Sequence, residues 1–387
     1  MDKKEIYILS ASDRFNYGDL LFPIIAKKAL ASDEFTFFNV GCVRSDLSNI
    51  GALPTCSYDI LYKNASSNAS KVILVAGGEV LMANWSRLYS FIWPFYFKLY
   101  EKARIRKKLS LLEKFTIKLK GHKDNIWPFI PSGTKISDNY SLVFNAVGGN
   151  NISSEKNNTK ISKALNASLF FSAREQKTYN ALSTNFNIND LRLSPDSAII
   201  MSDYFKFDAV VQEEYIAFQI GHHKNGNSLD LINEQLKLLS QETGLPIYFV
   251  SIGNCPGHDD MDSLNYLAER AEYANKVIDP VSVEYIMEVI AKSKLFMGTS
   301  LHGVITSMSF ETPFVALNPK IDKLKDYIDT WISAPFNRIS EFKNIKEEAM
   351  LRLNCENKED ILKDSITKQK DLIKNNFIEI KNRIESL

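Results

Sequence analysis

The stretch GTSLHGVITSMSFETPFVALNPK, residues 298–320, decides the fold. An apolar run, KLFMGTS, ends in its opening turn, a helical pattern begins at His302, and a second apolar run, PFVALN, follows Pro313. Strand, tight turn, helix and strand make a βαβ unit, whose two strands lie parallel and whose strand ends open on one crevice. Residues 300–303 would offer that crevice the free N–H groups and positive end of a helix, an anion site. His302 at the helix start is the candidate proton donor, because a bound phosphate or carboxylate would hold its proton affinity near neutrality. The competing role for His302 is a plain hydrogen bond to the turn. Lys320 follows the second strand and so belongs at the same crevice, or is a solvated turn lysine.

The same rhythm extends outward from this unit. On its N-terminal side YIAFQIG, a helix over residues 229–243, PIYFVSIG, a helix over residues 261–274, KVIDP and the helix SVEYIMEVIAKS form the rest of one α/β domain. Further upstream the strands IYIL, FTFFNV, KVILVAG, SLVFNAVGG and LFFSAR alternate with helical patterns such as LLFPIIAKKAL and TYNALSTNF, a second parallel unit. The length of 387 residues suits two such cores. The predicted division is an N-terminal domain over 1–205, a C-terminal domain over 206–355 with the break near 203–212, and a closing amphipathic helix over 356–387 that docks on the body.

Residues 81–130 interrupt the alternation with a stretch that is aromatic first and basic afterwards. Between residues 98 and 123 ten Lys and Arg stand against two acidic residues, a local +8 in a chain whose net charge is +1. One reading is a helical hairpin that packs its aromatics and solvates its charges; the other is a peripheral anchor for anionic lipid. Net charge near zero gives no global field to recruit nucleic acid. Four scattered cysteines without CxxC spacing, the absence of a leader pattern and of a spanning apolar run point to a cytoplasmic chain. His222, His223 and His258 with Asp259 and Asp260 lack compact ligand spacing, so no metal is expected.

Two further turns carry chemistry-bearing residues. In SARE, residues 172–175, Arg174 presents a planar fork for carboxylate or phosphate, or pairs with Glu175. In NYGD, residues 16–19, Gly18 allows a tight turn, and Asp19 either caps the following helix, the role local sequence favours, or turns its carboxylate into the crevice. Gly77, Gly78 and Glu79, like the turn at residues 148–151, close apolar strands where backbone could approach a ligand, or are plain turns.

Taken in order, Asn16-Tyr17-Gly18-Asp19, Gly77-Gly78, Ser172 with Arg174 and Glu175, Pro195-Asp196, Leu301-His302-Gly303 and Asn318-Pro319-Lys320 resemble the motifs of the polysaccharide pyruvyltransferase family. The resemblance implies an α/β fold of two Rossmann-like domains facing a cleft, GT-B-like, with the C-terminal helix crossing between the lobes. It implies that phosphoenolpyruvate, a substrate rather than a cofactor, sits on the second lobe, with its phosphate over Ser300, Leu301, His302 and Gly303 and its carboxylate or phosphate near Arg174 and Lys320. His302 would protonate the donor's methylene carbon. Asp19 would take the proton of an attacking sugar hydroxyl, and Asn16, Gly18, Gly77, Gly78 and Glu79 would shape the acceptor side. The acceptor implied is a hexose of a surface-polysaccharide precursor, lipid-linked where the enzyme works at the inner membrane face. Ser300 stands where many members of the family have arginine, and Asn318 where the family usually has aspartate. Two other functions fit the same architecture: a glycosyltransferase using a nucleotide sugar, and a non-catalytic glycan-binding protein.

Overall fold

The computed structural model describes residues 3–66, 70–120, 125–149, 151–208, 213–257 and 259–387. Two parallel sheets organise them. The first takes β1 (Lys4–Leu9), β2 (Phe35–Gly41), β3 (Cys56–Ser57), β4 (Lys71–Val75), β5 (Gly78–Glu79), β6 (Ser141–Gly148), β7 (Phe170–Ala173) and β8 (Leu191–Leu193) in the order β3-β2-β1-β4-β6-β7-β8, with β5 beside the end of β6. The second takes β9 (Ile216–Gln219), β10 (Ile247–Val250), β11 (Asn275–Ile278), β12 (Leu295–Gly298), β13 (Phe314–Leu317) and β14 (Ile339–Ser340) in the order β11-β10-β9-β12-β13-β14. Strands such as β4 and β13 are buried along their whole length, because helices cover both faces of each sheet.

The two lobes are fused through one apolar core. The inner face of the first sheet, the helix Tyr17–Ala29, the connecting turns at Ala198–Met201 and the helices Val283–Ala291 and Leu301–Ser309 all contribute to it. Leu301–Ser309 has all nine residues buried, which fits a helix wedged between lobes rather than laid on a surface. Its hydroxyls are satisfied in place: Thr306 donates to the His302 carbonyl at 2.7 Å, Ser307 to Gly303 at 2.9 Å and Ser309 to Ile199 at 2.8 Å. Gly303 is small for a packing reason, since any Cβ there would lie 2.3 Å from the Phe296 ring.

The helix Lys358–Glu385 crosses from lobe to lobe. Gln369 in its first half accepts from Tyr327 Oη at 3.0 Å on the second lobe. Near its end Arg383 Nη1 donates to the Leu169 carbonyl at 2.6 Å on the first. Between them Asn376, buried, donates to Ser194 Oγ at 2.8 Å.

Some expected boundaries shift. The first helix starts at Tyr17, so Pro23 lies inside it and leaves the Asp19 carbonyl without an i+4 donor. The helix expected over 261–274 stops at Glu269, followed by a turn into β11. Among the described residues, 81–130 hold three helices, Trp85–Ser90, Pro94–Ile105 and Leu109–Lys120, rather than a simple hairpin. Glu113 from the third accepts from the Trp85 and Ser86 N–H groups at 3.1 and 2.8 Å, and so closes the start of the first. The basic run ends at Lys123, which with His258, Asn150 and part of the expected 203–212 break lies outside the described residues.

Candidate functional site

The loop before Tyr17 bridges the lobes. Asn16 pairs with Gly253 across an isolated antiparallel bridge, Tyr17 N–H donates to the Ile252 carbonyl at 3.0 Å, and Asn254 N–H donates to Phe15 at 3.1 Å. Asn16 occupies the cap position that Asp19 was expected to fill, because the helix begins two residues before Asp19. Asp19 therefore sits in the first turn, where its Oδ2 accepts from Asn16 Nδ2 at 2.8 Å. The neighbouring Gly18 lies against His302: a Cβ at position 18 would fall 1.9 Å from its Nδ1. The NYGD turn thus makes room for the ring of a residue 284 positions later.

His302 is buried at the start of Leu301–Ser309, with Phe22 edge-on at 5.3 Å. Its Nε2 faces Asp196 Oδ2 at 3.6 Å, an ion-pair separation too long for a hydrogen bond, and has no hydrogen-bond partner among the described residues. Asp196 Oδ1 is fixed by the Ala198 N–H at 3.0 Å. Burial pushes the Asp196 carboxyl upward, but the His302 ring and the Arg174 guanidinium outweigh it and hold the group below the usual carboxylate range.

Arg174 is fully enclosed by carboxylates. Its Nε donates to Glu175 at 2.8 Å, its Nη2 to Glu79 at 2.9 Å, and its Nη1 lies 3.5 Å from Asp196. Burial disfavours its charge, yet Glu175, Glu79 and Asp196 keep it firmly protonated. The fork expected to receive a donor anion is occupied by three residues of the chain itself. Trp331 Nε1 donates to the Arg174 carbonyl at 2.7 Å, and Thr330 Oγ1 accepts from Gln176 N–H at 3.1 Å, so the SARE turn is pinned to the second-lobe helix Asp322–Trp331.

These pieces surround a cavity of about 320 Å³ between the lobes. Asn16, Asp19, Gly78, Glu79, Arg174, Ser300 and His302 all line it, as their sequence positions led us to expect. Lys320 does not: it is exposed and borders a separate depression with Gly226, Asn318 and Glu341. Leu301 is buried in the core, Gly303 packs on Phe296, and Gly18 and Gly77 support His302 and Phe22 from behind. Ser300 caps the helix by accepting from Gly303 N–H at 3.3 Å, which occupies one of the N–H groups offered to an anion.

The cavity's cations come from residues that motif reading passed over. Lys323, in the first turn of Asp322–Trp331, is lowered to about 8 by burial and by the nearby charges of Lys224 and Arg174. Lys224 is lowered by burial too, with Asp260 opposing. Arg14, buried and paired with Asp13 at 2.9 Å, stacks over Phe91 at 5.5 Å on the first-lobe side. Asp260 is raised by burial, although Gln219 Nε2 and the Ile252 and Gly253 N–H groups bond its Oδ2 at 2.9 to 3.1 Å. Lys323 follows Lys320 by one helical turn, so a helix-start reading of IDKLKDYI would have found it. Asn318 Nδ2 donates to the Lys224 carbonyl at 2.8 Å, a bond the family's aspartate could not make. Among the described residues no group of three or more His, Cys, Asp or Glu is placed to hold a metal ion.

Two lobes of parallel sheet closing on a polar cleft make a GT-B-like fold. S. aureus MnaA bound to UDP superposes at a TM-score of 0.54 with 12% identity, covering 94% of this chain and 91% of that one. UDP-GlcNAc 2-epimerase of Methanocaldococcus jannaschii gives 0.50 and 13%, with 92% and 93% covered. HepE of Anabaena in complex with UDP gives 0.51 and 8%, with 99% and 100% covered. At such identities these likenesses speak for the fold. No curated protein sequence is significantly similar to the chain. Residues 16–320 match the sequence profile of polysaccharide pyruvyl transferase, and the chain belongs to that family.

Proposed function

We propose that the cavity transfers the enolpyruvyl carbons of phosphoenolpyruvate to two hydroxyls of a hexose in a surface-polysaccharide precursor, forming a cyclic ketal and releasing phosphate. The observation that carries this reading is His302 held with Nε2 toward Asp196 at 3.6 Å in a cleft that also holds Lys323 and Lys224. With Nε2 turned toward that carboxylate and no hydrogen-bond partner of its own among the described residues, the ring is placed to give a proton to the donor's methylene carbon. The central carbon then takes the first sugar oxygen, and Asp19, at the first-lobe edge, accepts that hydroxyl's proton. The second hydroxyl displaces phosphate, which leaves with the second proton. Asp19 then gives its proton up to solvent, from which His302 regains the one it gave, and the other hydroxyl proton departs on phosphate.

Lys323 and Lys224 take the part that Arg174 and Lys320 were expected to play, neutralising the donor's phosphate and carboxylate without a metal cofactor. Arg174 acts as a positioning residue for Asp196 and Glu79. The acceptor enters past Asn16, Gly78 and Glu79. A second reading, a nucleotide-sugar glycosyltransferase, draws on the likeness to UDP-bound structures. Thermal stabilisation by phosphoenolpyruvate and not by UDP-sugars, with acceptor-dependent phosphate release that persists in a chelator, supports pyruvyl transfer; stabilisation by UDP-sugars alone would reject it.

A further inference from the structure

We infer that the helices Pro94–Ile105 and Leu109–Lys120 form a docking surface for an anionic lipid bilayer. Pro94–Ile105 buries none of its residues, and Leu109–Lys120 buries only Leu112 and Thr116. What they leave in water includes large apolar side chains: Phe95 is 81% exposed, Ile105 80%, Leu111 60%, Phe115 58% and Leu119 67%. Leu111, Phe115 and Leu119 recur every fourth residue and so form one continuous stripe on the helix. Residues 94–120 carry nine Lys and Arg against two Glu, a net +7. Among the described residues Arg104, with Glu101, is the only one of those cations in an ion pair. The surface is nonetheless firmly mounted, through Glu113 at the Trp85 helix start, a Tyr96–Thr116 hydroxyl bond, and Phe97 and Phe91 lying against Gly257 of the second lobe.

Apolar side chains exposed among cations that, Arg104 aside, form no ion pair among the described residues suit the bilayer interface, where the chains enter the acyl boundary and the cations meet anionic headgroups. A second copy of this face would set +7 against +7, and a polyanion in solution would leave the stripe in water. Phe91 lines the catalytic cavity, so docking here brings the cleft close to the lipid surface. That last point, and with it an acceptor carried on lipid, rests on the proposed pyruvyl transfer; the docking itself does not.

Co-sedimentation of the full chain with phosphatidylcholine vesicles, with and without phosphatidylglycerol, tests it. Binding is expected to need the anionic lipid, to weaken with salt, and to fall at least about tenfold when Arg106, Lys107 and Lys108 become glutamine. Leu111→Ser, Phe115→Ser and Leu119→Ser together should abolish it even at low salt. Absence of binding at low salt, binding indifferent to both variants, or a dimer in light scattering that the serine variant dissolves would each overturn the inference. Turnover of a soluble acceptor should be the same in both variants, so that failure of docking and failure of pyruvyl transfer are told apart.

Discussion

His302 and Lys323 divide the proposed chemistry between proton and phosphate, and each can be isolated by substitution. His302→Gln keeps the volume and removes the acid, so phosphate release should fall on the order of 10²–10⁴-fold with the thermal midpoint little changed. Comparable turnover in that variant would remove His302 from the mechanism. Lys323, lowered to about 8, is cationic below that pH and neutral above it. Donor affinity should be flat up to about pH 8 and then weaken by about tenfold per pH unit until the donor-bound pKa is reached. Fold stability should move the opposite way. The unfolded lysine titrates near 10.4, so burying its charge costs stability below pH 8 and that cost disappears as pH climbs from 8 towards 10. Lys323→Met should erase both trends, read by calorimetric titration and by thermal melts.

At the scale of elements, the active geometry depends on two helix starts meeting. Tyr17–Ala29 brings Gly18 and Asp19 to the cleft, and Leu301–Ser309 brings Ser300 and His302. Because a methyl group at position 18 would overlap Nδ1, Gly18→Ala should displace the ring and lose turnover nearly as fully as His302→Gln. Combining the two changes should then cost little beyond either alone, the mark of one shared function. Additive losses would mean that Gly18 serves something other than His302. The helices of residues 81–130 show why local pattern left two readings open: amphipathic spacing is the same whether an apolar stripe meets protein or lipid, and Leu112 is buried against protein while its neighbour Leu111 is exposed.

Over the whole molecule, the lobes share a core and a crossing helix, so they should melt together. Truncation after Asn357 would uncover the buried faces of Leu362, Ile366, Ile373, Phe377, Ile380 and Ile384 and orphan the Ser194–Asn376 bond. At about 1.5–3 kcal/mol for each buried aliphatic or aromatic side chain, the loss approaches or exceeds the entire stability of an ordinary protein. The truncated chain is expected to aggregate or to show no cooperative melt, whereas the intact chain should give one transition in calorimetry; two separate transitions in the intact chain would contradict the shared core. The sequence by itself determined the parallel α/β architecture and a docked C-terminal helix, its motifs carried the resemblance that implied the crossing and the family, and it put Asn16, Asp19, Glu79, Arg174, Ser300 and His302 at strand ends and helix starts. Those are local matters of hydrophobic period and turn chemistry, and parallel strands send their ends to one cleft. Only the tertiary structure decided which charges meet. Arg174 finds Glu79 from 95 residues away and Asp196 from 22, which sets carboxylates of the chain itself around its fork. Lys323 faces the cavity while Lys320, three residues earlier, faces solvent. Charge pairing falls off over a few ångströms, and at that range the rotation of a helix start and the approach of a distant chain segment outweigh everything that spacing along the sequence can express.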